Sequence, residues 1–410
     1  MREIKLSEVD FKKYEGYLEN EREEIDFISR ELRGLRVAFI NSTSFGGGVA
    51  EIFYSLIPLL RSLGIDIHWY VIEGDGKFFN ITKKIHNMLQ GEEESINSKE
   101  EDYYLLINKN NGENFNEKFD IIVIHDPQPM ALPLFLNKKT KKFVWRCHID
   151  TSSPSQRARN FVGKFIKLYE RVIFSVEEFA KGLKCDNNSL IIHPSIDPFS
   201  QKNKFLEQDV VDEIVEKFGV DIQRPFLLQV SRFDPWKDPL GVIDVYRNVK
   251  VDFPNIQLVL IGSMATDDPE GWKFYEKTLR YAGMDEDIFV FTNFDGVGSL
   301  EVNAFQRKAT IVIQKSIREG FGLTVSEALW KKKAVIGGNT GGIKVQIKNG
   351  KNGFLVSSKV ETEERVKELL LNGEEREEFG RNGHAVVRKK FLTTRHALDY
   401  LKLFKSLAVS

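Results

Sequence analysis

The sequence predicts an α/β protein of two doubly wound domains, each with a parallel sheet covered by helices on both faces. Three observations carry this. The 410 residues exceed what one ordinary core holds, so two domains of similar size are expected. Short, almost continuously apolar runs alternate with amphipathic stretches, the pattern of buried parallel strands joined by crossover helices. That pattern starts afresh near Pro225.

Taken in order, residues 1–34 are highly charged and place Leu6, Phe11, Tyr14, Leu18, Ile25, Phe27, Ile28 and Leu32 at helical spacing. They are expected to form an amphipathic N-terminal extension. Strands are then expected at Arg36–Asn41, Asp66–Ile72, Asp120–Ile124, Phe143–Arg146, Val172–Ser175 and Leu190–Ile192, with a helix over Val49–Leu63. The acidic run Glu92–Glu101 is expected as a solvated loop. A stretch with Pro194, Pro198 and a charged helix-like segment links the halves over Pro194–Gln223. The second half offers strands at Phe226–Val230, Ile256–Ile261, Ile288–Phe291, Ala309–Gln314, Ala334–Gly337 and Gly353–Val356. Its helices are expected at Pro239–Val249, Trp272–Ala282, Val360–Leu371 and Arg376–Phe391. The expected boundaries are therefore an extension 1–34, a domain 35–195, a domain 196–392, and a helix within 393–410 that packs back on the first domain. Two such domains facing each other make a cleft, and ligands of open α/β sheets lie beyond the carboxyl ends of the strands.

Composition narrows the function. Hydrophobic residues make up 41% and charged residues 29%, with 59 basic against 60 acidic side chains and a net charge of −1. That balance gives no electrostatic case for nucleic acid or an anionic membrane. Cys147 and Cys185 are the only cysteines, too few for a disulfide framework or a cysteine-rich metal site. The charged N-terminus lacks the apolar core of a signal peptide, and no run reaches the ~18 apolar residues of a membrane span. A cytoplasmic protein is expected, with an isologous homodimer as the base-rate assembly.

The most informative stretch is Lys315-Ser-Ile-Arg-Glu-Gly-Phe-Gly-Leu-Thr-Val-Ser-Glu-Ala-Leu-Trp330. It follows the strand ending at Gln314 and runs through a glycine-containing loop into a helix. Glu319 stands in the loop and Glu327, eight positions on, in the helix. The free N–H groups and dipole of such a helix start favour an anion. The loop acid suits a ligand's neutral polar groups and the helix acid a pair of hydroxyls. A molecule carrying a sugar, a diphosphate and a ribose in a row satisfies all three; an ordinary strand–loop–helix unit with two solvated glutamates is the plainer reading. Arg232 and Lys237 follow the strand Phe226–Val230. A planar guanidinium and an ammonium there neutralise a diphosphate without a metal, or else form a salt-bridged surface turn. Phe45-Gly46-Gly47-Gly48-Val49 joins a strand to a helix and lets backbone approach a ligand closely, but lacks G-x-G-x-x-G spacing. His125-Asp-Pro-Gln-Pro129 and Trp145-Arg-Cys-His148-Ile-Asp150 also follow strands. His125, Cys147 and His148 lack zinc-ligand spacing. Hydrolase-triad, zinc-protease and P-loop signatures are absent.

Gly46–Gly48, Arg232, Lys237 and the E-G-F-G-L-T-V-S-E stretch at 319–327 together resemble the retaining glycosyltransferases of the GT-B fold, glycosyltransferase family 4, over essentially the whole chain. W-R-C-H-I-D and H-D-P-Q-P resemble its trehalose branch, and the sequence is similar to the glycosyltransferring synthases of archaeal type there. The resemblance implies two facing Rossmann-like domains, an acceptor domain and then a nucleotide-sugar donor domain. Glu319, His148, Arg232 and Lys237 would be catalytic. Gly47, Gly48, Asn293, Gly320, Phe321, Gly322, Leu323, Thr324 and Glu327 would join Arg232 and Lys237 in donor binding. Gly47, His125 and Asp150 would hold the acceptor. The implied reaction joins glucose from a nucleoside diphosphate glucose, such as UDP-glucose or ADP-glucose, to free glucose as α,α-trehalose. No cofactor is required, and Mg²⁺ is at most an aid to diphosphate release. A trehalose phosphorylase, another family 4 transferase and a non-catalytic sugar-nucleotide sensor are the competing expectations.

Overall fold

A computed structural model describes residues 1–18, 21–45, 47–136, 142–185, 188–264 and 269–408. Gly46, part of the glycine run read above, lies outside them. The chain divides into two compact units, Met1–Pro194 with Thr393–Ser410, and Ser195–Leu392.

Among the described residues, the first unit holds a seven-stranded sheet: β1 (Arg2–Glu3), β2 (Arg36–Asn41), β3 (Asp66–Val71), β4 (Ile121–His125), β5 (Lys142–Cys147), β6 (Arg171–Phe174) and β7 (Ser189–Ile191). They lie in the order β1-β3-β2-β4-β5-β6-β7, parallel apart from β1 against β3. Val37, Ala38, Phe39 and Ile40 of β2 and Ile122, Val123 and Ile124 of β4 have no exposed surface, because helices cover both faces. Such strands must be apolar at every position. The order reverses between β2 and β4, so their carboxyl ends, Asn41 and His125, flank a topological switch point.

The second unit has, among the described residues, an all-parallel six-stranded sheet: β8 (Phe226–Val230), β9 (Gln257–Gly262), β10 (Ile288–Thr292), β11 (Ile311–Gln314), β12 (Val335–Gly338) and β13 (Phe354–Val356), in the order β10-β9-β8-β11-β12-β13. Here β8 and β11 flank the switch point. The loops leaving them, Ser231–Asp238 and Lys315–Gly322, carry the Arg232, Lys237 and Glu319 read from sequence.

Two expectations are corrected. Residues 1–34 are no separate helical extension: Arg2 pairs with Val71, and a short turn Phe11–Tyr17 and a helix Arg22–Glu31 follow. Burial of Phe11, Tyr14, Ile25, Ile28 and Leu32 and ion pairs of Glu24 with Lys402 (2.9 Å) and Glu31 with Lys405 (2.6 Å) build this segment into the first unit. The acidic run Glu92–Glu101 ends in a helix, Ser98–Glu113. Asn97 and Glu100 cap it reciprocally, at 3.0 Å from Glu100 N–H to Asn97 Oδ1 and 2.9 Å from Asn97 N–H to Glu100 Oε2, which satisfies two first-turn donors.

Candidate active site

The second unit gathers its charged residues on the two switch-point loops. Lys237 closes a short helical turn, Pro235–Lys237, capped by Asp234. Its N–H donates to Asp234 Oδ1 at 3.2 Å, and its carbonyl accepts from Gln229 Nε2 at 2.7 Å. With the backbone fixed at both ends, the Lys237 ammonium reaches the other loop and meets Glu319 Oε2 at 2.6 Å; the two side chains are 15% and 13% exposed. Ser316 Oγ donates to the same oxygen at 3.1 Å. Arg232, half exposed, lies 3.1 Å from Asp234. The sequence offered Lys237 and Glu319 as separate ligands; the structure pairs them.

The helix Leu323–Trp330 starts at Gly322, whose φ of +80° is a left-handed conformation that costs glycine little. The N–H groups of Leu323 and Thr324 are first-turn donors of the kind helix geometry leaves without intrahelical acceptors. Gln346 fixes this corner: its Nε2 donates to the carbonyls of Phe321 (2.6 Å) and Gly342 (3.1 Å), and its Oε1 accepts from Ser326 Oγ at 2.6 Å. Phe321 is buried against the Phe391 ring, with centroids 5.5 Å apart. Gly320 leads into this corner in the same loop.

Glu327 is 1% exposed. Its Oε2 accepts from Gln306 Nε2 at 3.2 Å, and Lys202 lies 3.7 Å from Oε1. Below it, burial pushes the Lys331 ammonium down to about 7, against the pull of Glu327. Asn293 follows β10, is exposed, and holds Met264 N–H on its Oδ1 at 2.7 Å.

The first unit has its own polar rim at the ends of β4 and β5. Asp126 takes a left-handed φ of 65°. Its Oδ1 accepts the His148 N–H at 2.8 Å and its carbonyl the Trp145 indole N–H at 3.0 Å. His148 Nε2 and His125 Nδ1 are 3.0 Å apart. His125 has no exposed surface and is walled in by Phe39 and Phe53, with centroids at 5.0 and 4.6 Å. The expectation that His125 touches an acceptor is corrected: it is the second residue behind His148. Asp150, also expected at the acceptor, is 1% exposed, and its Oδ1 accepts from Ser152 N–H and Oγ at 3.0 and 2.6 Å. It caps a turn. Gly47 and Gly48 start the helix Gly48–Ser62. Gly47 is extended at φ −166°, and a Cβ added there meets nothing within 4 Å, so packing does not require the glycine.

Sequence reasoning assigned no role to Asp126, Arg146, Gln306, Gln346 or His396. Asp126 and Arg146 stand inside motifs already quoted; Gln306, Gln346 and His396 lie far along the chain with no local signal. Arg146 is fully buried, and its Nε and Nη2 meet no acceptor among the described residues. Burial, helped by this guanidinium, holds His125, His148 and His396 well below the usual 6.5. The same burial pushes Asp126 up to about 7.

These shifts make a pH prediction. Three imidazoles bind fewer protons folded than unfolded, so their contribution is lost as pH falls below about 6.5; the raised Asp126 acts oppositely between about 4 and 7. The imidazoles outnumber it. Stability is expected to fall by on the order of 1 kcal/mol per pH unit from pH 6.5 to 5.5, read from urea midpoints, and His396→Gln should flatten the slope. A midpoint that does not move over that range would contradict neutral buried imidazoles.

Among the described residues, no helix is long and apolar enough to cross a membrane, and no group of three or more His, Cys, Asp or Glu side chains is arranged to hold a metal ion.

The α,α-trehalose-phosphate synthase (UDP-forming) of Burkholderia vietnamiensis superposes with a TM-score of 0.71 at 12% identity, over 92% of this chain and 99% of that one. The likeness is one of fold. With a family model described as "Glycosyl transferases group 1" matching residues 210–386, the two parallel α/β units define a GT-B glycosyltransferase, a hexosyltransferase. A model described as "Trehalose synthase, N-terminal domain" matches residues 39–181. The trehalose synthase of Pyrococcus horikoshii is 48% identical over 97% of this chain and 96% of its own. The chain belongs to the trehalose synthase family, as the motifs of the sequence implied. The trehalose phosphorylase of Pleurotus pulmonarius matches at 29% identity, over 80% of this chain and 51% of its own.

Proposed function

We propose that the protein transfers glucose from a nucleoside diphosphate glucose to the anomeric hydroxyl of free glucose with retention, giving α,α-trehalose and the nucleoside diphosphate, and that the reaction runs in both directions. The observation that carries the reading is the Lys237–Glu319 contact beside the Gly322–Thr324 helix start, in a chain spanning 96% of a trehalose synthase but 51% of a trehalose phosphorylase. A cation, an oriented carboxylate and first-turn helix amides are the groups that suit the phosphates and sugar hydroxyls of a glycosyl diphosphate.

The donor diphosphate takes the Leu323 and Thr324 amides with Arg232 and Lys237. As the bond from C1 to the β-phosphate oxygen breaks, negative charge builds on that phosphate, and these donors, already oriented, stabilise it. Glu319, held by Lys237 and Ser316, faces the sugar and its developing positive charge, with Gly320, Phe321 and Gly322 closing over it. His148 contacts the sugar as a neutral imidazole, oriented by His125 through the ring contact and by Asp126 through its backbone N–H. The acceptor oxygen forms its bond to C1 on the face the diphosphate leaves, and its proton passes to the departing phosphate oxygen. No covalent glycosyl-enzyme is required, and Glu319 is not a nucleophile; a glycosyl adduct trapped on Glu319 would overturn this step. Glu327 binds the ribose hydroxyls once Lys202 yields, and Asn293 flanks the base. Gly47 and Gly48 give backbone access. The assembly is a cytoplasmic homodimer, and Arg232 with Lys237 makes metal unnecessary. Turnover is accordingly expected to survive excess EDTA; complete loss would count against that role of the two cations.

Glu327→Ala is expected to raise the donor KM by about tenfold or more with kcat little changed, because the ribose contact is made equally in ground and transition states. Unchanged nucleotide affinity would remove the ribose assignment. The direct test is product analysis of glucose with UDP-glucose or ADP-glucose beside trehalose with phosphate. Trehalose and nucleoside diphosphate from the first mixture support the proposal; glucose 1-phosphate from the second alone would make the protein a phosphorylase.

A further inference from the structure

The two switch-point loops carry a second ion pair beside the first. Lys315, the first residue after β11, is 8% exposed and pairs with Asp238, the residue after Lys237. Asp238 has a left-handed backbone at φ 50° and ψ 49°, and its Oδ1 accepts the Gly241 N–H at 3.1 Å as the cap of the helix Pro239–Asp252. Between the pairs, Ile317 N–H donates to the Trp236 carbonyl at 2.7 Å, and the Arg318 guanidinium lies 5.8 Å from the Trp236 ring centre. Two ammonium groups and two carboxylates thus bridge one pair of loops, joined as Lys237 to Glu319 and Lys315 to Asp238.

The same four groups could be joined the other way. Lys237 and Asp238 are chain neighbours, as Lys315 and Glu319 are loop neighbours. A Lys237 drawn to Asp238, or a Glu319 drawn to Lys315, would take one partner out of the site. Partly buried ion pairs resist exchange when every charge already has a fixed partner, because leaving one unpaired is costly. We propose that Lys315 and Asp238 are positioning residues: their pair occupies the competing charges, so that Lys237 and Glu319 are left for each other and for the donor. The inference rests on the proposed role of Lys237 at the donor phosphate. It assigns neither Lys315 nor Asp238 a contact with substrate.

A double-mutant cycle in which the second substitution restores function is expected. Lys315→Met frees the Asp238 carboxylate, and Asp238→Asn frees the Lys315 ammonium. Asparagine keeps the helix cap and tolerates the left-handed backbone, so Asp238→Asn isolates the charge. Each single substitution is expected to lower both kcat and UDP affinity by on the order of tenfold, the size of coupling between contacting charges. Lys315→Met/Asp238→Asn, with neither competitor left, is expected to recover to within about threefold of the parent, and Lys315→Arg to stay near the parent. Calorimetric titration with UDP alone reads the cycle independently of acceptor and product. A parent that binds UDP but makes no trehalose therefore fails the proposed reaction, while the UDP cycle still decides this inference. Singles without effect, or a double variant as impaired as the product of its singles, would overturn it. So would a thermal-stability loss in Lys315→Met that the double variant does not relieve, since that marks a merely structural pair.

Discussion

Lys237→Ala is expected to lower turnover by about 10²–10³-fold at saturating donor, the loss seen when one preorganised charge partner of a transition state is removed. The geometry explains why the loop backbone stays in place. Asp234 and Gln229 hold the backbone of Lys237, and neither bond involves the side chain that is deleted. What disappears is the ammonium that meets Glu319 at 2.6 Å, leaving that carboxylate with Ser316 alone of its two partners. The melting temperature should fall, because Glu319 loses its ion-pair partner, and kcat should fall more than donor KM rises. Arg232→Ala is expected to lose turnover on the same order. A Lys237→Ala enzyme within threefold of the parent in kcat would show that the ion pair is structural.

Gly342→Ala is expected to cost about 10²-fold in kcat/KM, although Gly342 touches no proposed substrate group. Its backbone is right-handed, at φ −68° and ψ −12°, so alanine meets no conformational strain. The obstacle is steric. The added Cβ would lie 2.3 Å from the Cα of Phe321, 2.8 Å from its carbonyl oxygen and 2.9 Å from that of Gly320. These are backbone atoms, and no rotamer change relieves them. The loop that precedes the helix start must shift by about 1 Å, and misplacement on that scale costs about a hundredfold in a positioned reaction. Gln346, which holds the Phe321 and Gly342 carbonyls together, transmits the shift. Crystals of the variant should show the 320–322 loop displaced; full activity would mean that the corner is not held as tightly as its contacts imply.

Much of the fold was legible because the strands are buried on both faces and so read as unbroken apolar runs. Arg36–Asn41 and Phe226–Val230 match the observed strands to the residue. Glu319, Lys237 and Arg232 were legible because each stands just after such a run. What could not be read was partnership. Lys237 and Glu319 are 82 positions apart, and only the crossing of the chain at β8 and β11 makes them neighbours. His125 illustrates a second limit. It ends a strand whose two faces are both core, so no apolar pattern marks which way its ring turns, and Phe39 and Phe53 decide it. The reciprocal cap at Asn97 and Glu100 hid in an acidic run because capping depends on one exact spacing amid many similar residues. The buried His396 comes from the segment Thr393–Ser410, which belongs to the first unit although the whole second unit separates them in sequence.

Transfer of glucose from a nucleotide to glucose with retention can be followed in one proton NMR time course of the purified protein with an α-linked nucleoside diphosphate glucose and free glucose. α,α-Trehalose is expected as the first-formed product, one molecule for each nucleoside diphosphate released. A first-formed β-linked product, or nucleotide released with only free glucose beside it, would contradict it.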